Sequence, residues 1–344
     1  MSSELPAVLA IDGGNSKTDV ALVGADGTLR GRARGPGVPT KLSQQTIARL
    51  APVVRAAAAD AGLPAAGPAV AGHTVACMAN ADLPDEEQML SEMLGAQGWS
   101  ATTQVANDTF AVLRAGLAYP AGIPWGVAVT CGAGINCVGL APDGQTARFL
   151  AFGTISGDWG GGLGLGSAAL WWAIRDEDGR GPQTALRGAL AAHFGVAEVS
   201  DITIGIHRGR IDFDSLHEFV PVLFAVAEAG DGVARDLVSR MADEVCAMSL
   251  ALIRRLGLTG LATPVVLGGG VLTARDPLLI GWIAERLGAA APAATVHVVD
   301  VPPMAGAALL GLDHAGAGAA PGPGYAAERR LRAGFLTPDA SMTA

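Results

Sequence analysis

The feature that most constrains the fold of this chain is a pattern that occurs twice. An apolar run at 8–11 ends in Asp12-Gly13-Gly14, a second run covers 18–23, Asp26-Gly27 follows, and a third stretch covers 28–33. Later, 127–130 is apolar and leads into Gly132-Ala133-Gly134. A second run covers 135–140, Asp143-Gly144 follows, and 145–151 closes the series. Strand, glycine turn, strand, Asp-Gly turn, strand predicts a β-meander. Two meanders of one design, one per half, predict an internal duplication; chance likeness between glycine-rich hairpins is the alternative. At 344 residues the chain suits two domains, each able to bury a core.

The remaining sequence reads as α/β. A helix is expected over 43–62, with Ser43 as N-cap and Gly62 as stop. Residues 70–78 read as a strand. A helix over 83–98 follows, capped by Asp82, with Asp85, Glu86 and Glu87 in its first turn. A strand at 103–106 runs into Asn107-Asp108, and 109–117 is helical. In the second half, 216–229 and 233–256 carry helical apolar periodicity. Strands are expected at 264–267 and 295–299, and helices at 305–312 and 326–333. A Gly/Pro/Ala linker covers 316–324. Domain boundaries fall at 118/119 and 314/315, with 315–344 packing back on the N-terminal lobe.

Composition excludes several classes. Hydrophobic residues make up 50% and charged residues 16%, which describes a globular chain. A net charge of −9 argues against nucleic-acid binding, because phosphate backbones require a basic surface. Residues 115–142 carry no charge, but Pro120, Pro124 and repeated glycines break the stretch, so buried strands explain it better than a membrane span. Residues 1–6 lack a basic region followed by an apolar one, so no signal peptide is read. Cys77, Cys131, Cys137 and Cys246 show no CxxC spacing and are expected as buried, reduced thiols of a cytoplasmic protein. The six histidines lack HExxH or any close pairing, so no metal centre is read from them.

The strongest chemical signal is Asp12-Gly13-Gly14-Asn15-Ser16-Lys17-Thr18. A glycine hairpin can turn backbone N–H groups onto phosphate oxygens. Ser16 and Thr18 add hydroxyl donors, Lys17 adds a point charge, and Asp12 could hold Mg²⁺ through water. Lys17 stands out because the only other lysine is Lys41; every other cation is Arg. Gly132, Ala133 and Gly134 occupy the matching turn of the second meander. Gly268, Gly269 and Gly270, after a buried strand, could let an adenine or ribose lie on bare backbone. A dinucleotide fingerprint fails there, because Thr273 stands where the third glycine belongs, and no GxxxxGK[ST] loop occurs. Asp108, at a strand end, could accept a proton from a substrate hydroxyl; an ordinary helix cap is the plain alternative. Asn136 with Asp158-Trp159-Gly160-Gly161-Gly162 is a candidate sugar pocket, an indole face packing on a pyranose ring. Trp171 and Trp172 are expected in the core.

In this order these motifs resemble the N-acetylglucosamine kinase group of the BadF/BadG/BcrA/BcrD-type ATPases, a branch of the actin, Hsp70 and hexokinase superfamily. Asp12 to Thr18 looks like that family's first phosphate loop. Cys131-Gly132-Ala133-Gly134-Ile135-Asn136-Cys137 looks like the second, with the sugar-touching asparagine at Asn136. Asn107-Asp108 matches the catalytic-base segment, and residues 266–271 the adenosine motif. The resemblance implies two ribonuclease-H-like, actin-like ATPase domains around a nucleotide cleft, ATP and Mg²⁺ as cofactors, an amino sugar as acceptor and a homodimer. Asp108 would then be the base, and Asn107, Asp108, Asn136 and Asp158 would bind the sugar. Two departures bear on which sugar. Where the family carries Gly-Asp-Glu-Gly-Ser, this chain has Gly164-Leu165-Gly166-Ser167, so Asp158 is expected to replace the missing carboxylate. The early loop Gly35-Pro36-Gly37-Val38-Pro39-Thr40 lacks the usual asparagine. Alternative readings are a kinase of glucosamine or another hexosamine, an activator ATPase of an iron–sulfur system, and a non-enzymatic sensor. The second would need paired cysteine ligands, whereas Cys131 sits inside the phosphate loop. The third would lack a base, yet Asp108 is present.

Overall fold

A computed structural model describes residues 5–39, 43–64, 69–117, 123–315 and 324–336. The chain forms two compact units, Met1–Pro124 with Val299–Ala344, and Trp125–Val298. The division therefore falls at 124/125 and 298/299, not at the expected 118/119 and 314/315. The linker residues 316–323 and Thr40 lie outside the described residues.

The first unit opens with β1 (Val8–Gly13), β2 (Lys17–Val23) and β3 (Leu29–Pro36), then α1 (Gln44–Asp60), β4 (His73–Met78), α2 (Pro84–Gly95), β5 (Thr102–Asn107) and α3 (Asp108–Gly116). The second runs through β6 (Gly126–Cys131), β7 (Ile135–Leu140), β8 (Thr146–Arg148), α4 (Gly161–Glu177), α5 (Leu186–Phe194), α6 (Val199–His207), α7 (Val220–Glu228), α8 (Gly232–Arg255), β9 (Thr263–Gly268), α9 (Gly270–Thr273), α10 (Pro277–Ala290) and β10 (Ala294–Val298). The chain then returns to the first unit as α11 (Pro303–Ala315) and α12 (Tyr325–Leu336).

The two sheets have one topology. The first is ordered β3-β2-β1-β4-β5 and the second β10-β9-β6-β7-β8, which is the same order read from the other edge. In each, three consecutive antiparallel strands make a meander, and two later strands add in parallel beside its first strand. The Asp-Gly turns match bond for bond. Gly24 N–H donates to Thr28 O and Thr28 N–H to Asp26 Oδ1; Ala141 N–H donates to Gln145 O and Gln145 N–H to Asp143 Oδ1. Coincidence of two hairpins does not reproduce strand order, direction and turn bonding together, so the duplication stands.

Strand β1 explains the layering. Leu9 and Ile11 enter one core with α1 and α2, while Val8 and Ala10 enter another with Ala111 of α3 and with Met304, Ala308 and Leu312 of α11. A strand covered on both faces must be apolar throughout, which is why it reads as a run and not an alternation. Helix α12 adds Leu331 to this second core. Its Glu328, 1% exposed, accepts from Arg114 of α3 and from Arg332, while Asp313 of α11 takes the other side of Arg114.

Several local expectations differ. Asp82 does not cap α2: Leu83 holds that position, and Glu86 accepts the backbone N–H of both Asp82 and Leu83. A carboxylate reaching back from the third helical position does the work a capping side chain would do. The helix expected at 216–229 starts only at Val220, after a 3-10 turn over Phe213–Phe219, because Pro221 suits a first turn. Trp171 is not in the core but 51% exposed, with the Arg175 guanidinium over its ring; Trp172 packs on the core. Adjacent helical residues point about 100° apart, so one tryptophan of the pair faces outward.

Candidate active site

In the first unit the site grows from the carboxyl end of β1. Strand register sets Asp12 beside Asp19 on β2 and Cys77 on β4, and Asp19 beside Arg34 on β3. Cross-strand partners share a face. The face that buries Val8 and Ala10 thus carries Asp12, Asp19 and Arg34 at its end. The connecting turn is closed by Gly14 N–H donating to Lys17 O (2.9 Å) and buttressed by Ala79 N–H to Gly13 O and Val38 N–H to Gly14 O. Asn15, Ser16 and Lys17 are exposed at its tip. Thr18 is not: it is fully buried, and its Oγ1 donates to Pro36 O at 2.9 Å. The expected phosphate contact of Thr18 is therefore replaced by a structural bond, because its side chain points into the sheet side of the hairpin.

Asp108 opens α3. The cap is its neighbour: Asn107 Oδ1 accepts Thr109 N–H at 3.0 Å. Asn107 is 1% exposed and its amide nitrogen donates to Asp82 Oδ1, so the sugar contact expected of it gives way to holding the strand–helix junction. That arrangement leaves the Asp108 carboxyl for chemistry, at the positive end of a helix. Burial pushes Asp108 up to about 6, against the lowering effect of its bonds from Thr109. Burial also pushes Asp12 up to about 7, reinforced by the charges of Asp108 and Asp19 and opposed by Lys17 and Arg34.

In the second unit, three glycine segments meet at the ends of β6 and β9. Gly132 N–H donates to Gly134 O, and the first amides of α4 close on the same turn: Gly162 N–H to Gly132 O (2.7 Å) and Leu163 N–H to Ala133 O (2.9 Å). A Cβ on Gly161, at φ +68°, would stand 2.4 Å from the Gly134 carbonyl. A Cβ on Gly269, at φ +80°, would stand 2.4 Å from the Cys131 backbone. Only glycine fits either place. Gly161 and Gly162, read from sequence as part of a sugar pocket, thus belong to the wall of the second glycine turn, while a Cβ on Gly160 would meet Met241 of α8 at 2.7 Å. Ala133, Gly134 and Gly270 are exposed, whereas Gly268 is buried.

The sugar-pocket residues expected in this unit are each held by local bonds. Asn136 Oδ1 accepts the Cys137 N–H, and Asp158 Oδ2 accepts the Ser156 hydroxyl. Trp159 does not offer an open face: it packs against the core, and the Arg240 guanidinium lies 3.9 Å from its ring centroid. Glu244, one turn beyond Arg240 on α8, is raised by burial and by its acidic neighbours Asp243 and Asp158. Sequence reasoning missed Asp19, Arg34, Arg240 and Glu244. The first two were within reach, since a meander puts Asp19 opposite Asp12 and Arg34 opposite Asp19. The helix residues carried no signal. All four cysteines are buried thiols, and no single helix among the described residues is long and apolar enough to cross a membrane.

Two ribonuclease-H-like sheets, each ending in a glycine turn on its first hairpin, define an α/β protein of the actin-like ATPase fold. Solved structures agree. A proposed N-acetylglucosamine kinase of Chromobacterium violaceum superposes with a TM-score of 0.67 at 23% identity, covering 90% of this chain and 99% of that one. A ROK family glucokinase of Streptomyces griseus superposes with a TM-score of 0.53 at 15% identity, covering 89% and 97%. Within that fold the chain belongs to the BadF/BadG/BcrA/BcrD ATPase family, whose model matches residues 9–311. It is 25% identical over 268 residues to an N-acetylmuramic acid/N-acetylglucosamine kinase of Clostridium acetobutylicum, covering 77% of this chain and 85% of that one. It is 25% identical over 226 residues to an N-acetyl-D-glucosamine kinase of Dictyostelium discoideum, covering 65% and 69%.

Proposed function

We propose that this chain is an ATP-dependent sugar kinase that phosphorylates the C6 hydroxyl of an amino sugar, with N-acetylglucosamine as the acceptor. The observation that carries the reading is Asp108. Its carboxyl opens a helix whose capping is done by Asn107, and burial holds it near 6, ionised at neutral pH yet basic enough to take a proton. As the sugar oxygen attacks the γ-phosphorus, Asp108 accepts the hydroxyl proton, the new O–P bond forms, and the bond to the β–γ bridging oxygen breaks to release ADP. The exposed tip of the first glycine turn and Lys17 offer donors and charge to phosphate oxygens.

Mg²⁺ fits the first unit's donor set: Asp12 is a hard oxygen ligand whose ionisation Asp108 and Asp19 oppose, a burden that a cation relieves. When bound it would offset charge on the phosphates, with Asp12 as its holder. Ala133, Gly134 and Gly270 present backbone for the nucleotide from the second unit, and Asn136 and Asp158 supply polar groups for the sugar. Buried thiols suit a reducing cytoplasm, and they leave no exposed cysteine to ligate the cluster of an electron-transfer activator. A homodimer is the proposed assembly, to be read from mass in solution.

ADP release measured over a panel of free sugars tests the proposal, with the phosphorylated carbon assigned by NMR. N-acetylglucosamine is expected to turn over fastest. Turnover of no sugar would overturn the kinase reading, and faster turnover of glucosamine would move the substrate. In the same assay Asp158→Ala is expected to raise the sugar KM roughly tenfold or more with little change for ATP, since each charge-assisted bond contributes about 1.5–3 kcal/mol.

A further inference from the structure

Lys17 is read above as the phosphate-binding cation, yet its Nζ lies 3.1 Å from Asp19 Oδ2. A lysine held by a carboxylate is of no use to a phosphate unless it can leave. Asp19 has a second partner. Arg34 Nε donates to Asp19 Oδ1 at 2.6 Å and its NH2 group donates to Oδ2 at 3.2 Å. The Asp19 side chain is 8% exposed, whereas Lys17 is 53% exposed. We infer that Arg34 is a positioning residue: by staying on Asp19 it lets Lys17 exchange Asp19 for a nucleotide phosphate.

The argument is one of desolvation. A nearly buried carboxylate stripped of its only counter-charge is costly, and the cost would fall on whichever ligand drew the cation away. With Arg34 in place, Asp19 keeps both oxygens satisfied after Lys17 departs. The two cations suit different tasks. The planar guanidinium matches a carboxylate in a fixed fork, while an ammonium on a flexible stem is a mobile point charge. Register makes the arrangement specific, because Asp19 lies directly opposite Arg34 on β3 and opposite Asp12 on β1. Arginines at 30 and 32 of the same edge strand could serve merely to block strand pairing. Arg34 differs in making a two-point bond to a single carboxylate beside the turn.

The inference rests on the kinase reading, and calorimetric titration with Mg-ATP in the absence of sugar separates the two. Arg34→Met is expected to weaken Mg-ATP binding about tenfold, within the usual coupling range for one ion-pair network. Arg34→Lys should retain most of the affinity. The decisive variant is Arg34→Met with Asp19→Asn, which frees Lys17 and should restore affinity to within about twofold of wild type. If Arg34→Met does not fold, Arg34→Gln replaces it in both backgrounds. Wild-type binding by the single variant overturns the inference alone. A double variant as weak as the single also overturns it, because Arg34 would then touch the nucleotide itself. Absence of Mg-ATP binding in the wild-type protein overturns the kinase reading, and the inference with it.

Discussion

At the scale of single residues, two half-buried carboxyls, Asp12 and Asp108, carry most of the proposed chemistry, and desolvation displaces both upward. Asp108 must be ionised to act as base, so activity is expected to fall about tenfold per pH unit once the pH drops below its pKa, near 6. Asp108→Asn keeps the shape but cannot take the proton, and should lower kcat by roughly 10²-fold or more while sugar binding persists. Steady-state rates over a pH series check both; normal turnover in folded Asp108→Asn would remove it from the mechanism. Asp12 gives a stability test. Its folded pKa, about 7, stands above the ordinary value of 3.8. Its contribution to stability is therefore fully present below the ordinary value and is lost as pH rises through 7. Asp12→Asn cannot ionise, so in Mg²⁺-free buffer it should match wild type near pH 4 and exceed it by about 4 kcal/mol near pH 8. Denaturant midpoints at the two pH values decide it; an Asn variant less stable than wild type at the higher pH would contradict the burial argument.

At the scale of elements, the C-terminal helix α12 secures α3, the helix that presents Asp108. Arg332 donates to the carbonyls of Ala115 and Leu117 at the far end of α3, and Arg330 pairs with Asp26 at the Asp-Gly turn of the meander. Between them, Glu328 is 1% exposed and bonded to both Arg114 and Arg332. Glu328→Ala leaves two largely buried guanidinium groups short of a partner and should destabilise the protein by about 3 kcal/mol. Urea unfolding measures that loss directly. The exposed Arg180–Asp178 pair is the internal comparison, and its removal should leave the urea midpoint close to that of wild type.

At the scale of the whole molecule, the two units differ in how the chain supplies them. The second is continuous, Trp125–Val298, whereas the first needs Val299–Ala344 to complete it. Without α11, Val8, Ala10, Val75 and Ala111 lose the cover of Met304, Ala308, Leu309 and Leu312. Deleting buried apolar contacts on that scale removes more than a small domain's net stability of about 5–15 kcal/mol. A fragment of residues 125–298 is therefore expected to fold with a cooperative thermal transition, and one of residues 1–124 is not. Circular dichroism melts of both check this, and a cooperative melt from the shorter fragment would show that α11 is dispensable.

Much of this was legible in the sequence. Apolar runs, glycine turns and Asp-Gly turns fixed both meanders, because strand alternation and turn chemistry are local properties. The position of Asp108 at a strand–helix junction, the buried thiols and the Ser43 cap were readable for the same reason. What the sequence left open depended on contacts between distant segments. Trp159 could be read as a sugar platform until α8 brought Arg240 over its face. Thr18 could be read as a phosphate ligand until β3 supplied Pro36 O to its hydroxyl. Gly161 could be read as pocket lining until α4 closed on the turn at Gly134. The assignment of α11 to the first unit was likewise decided by packing, since burial of its small-residue face against α3 and β1 is satisfied only there. Local sequence determined which residues could do the chemistry; the long-range register and packing determined which of them were already committed elsewhere.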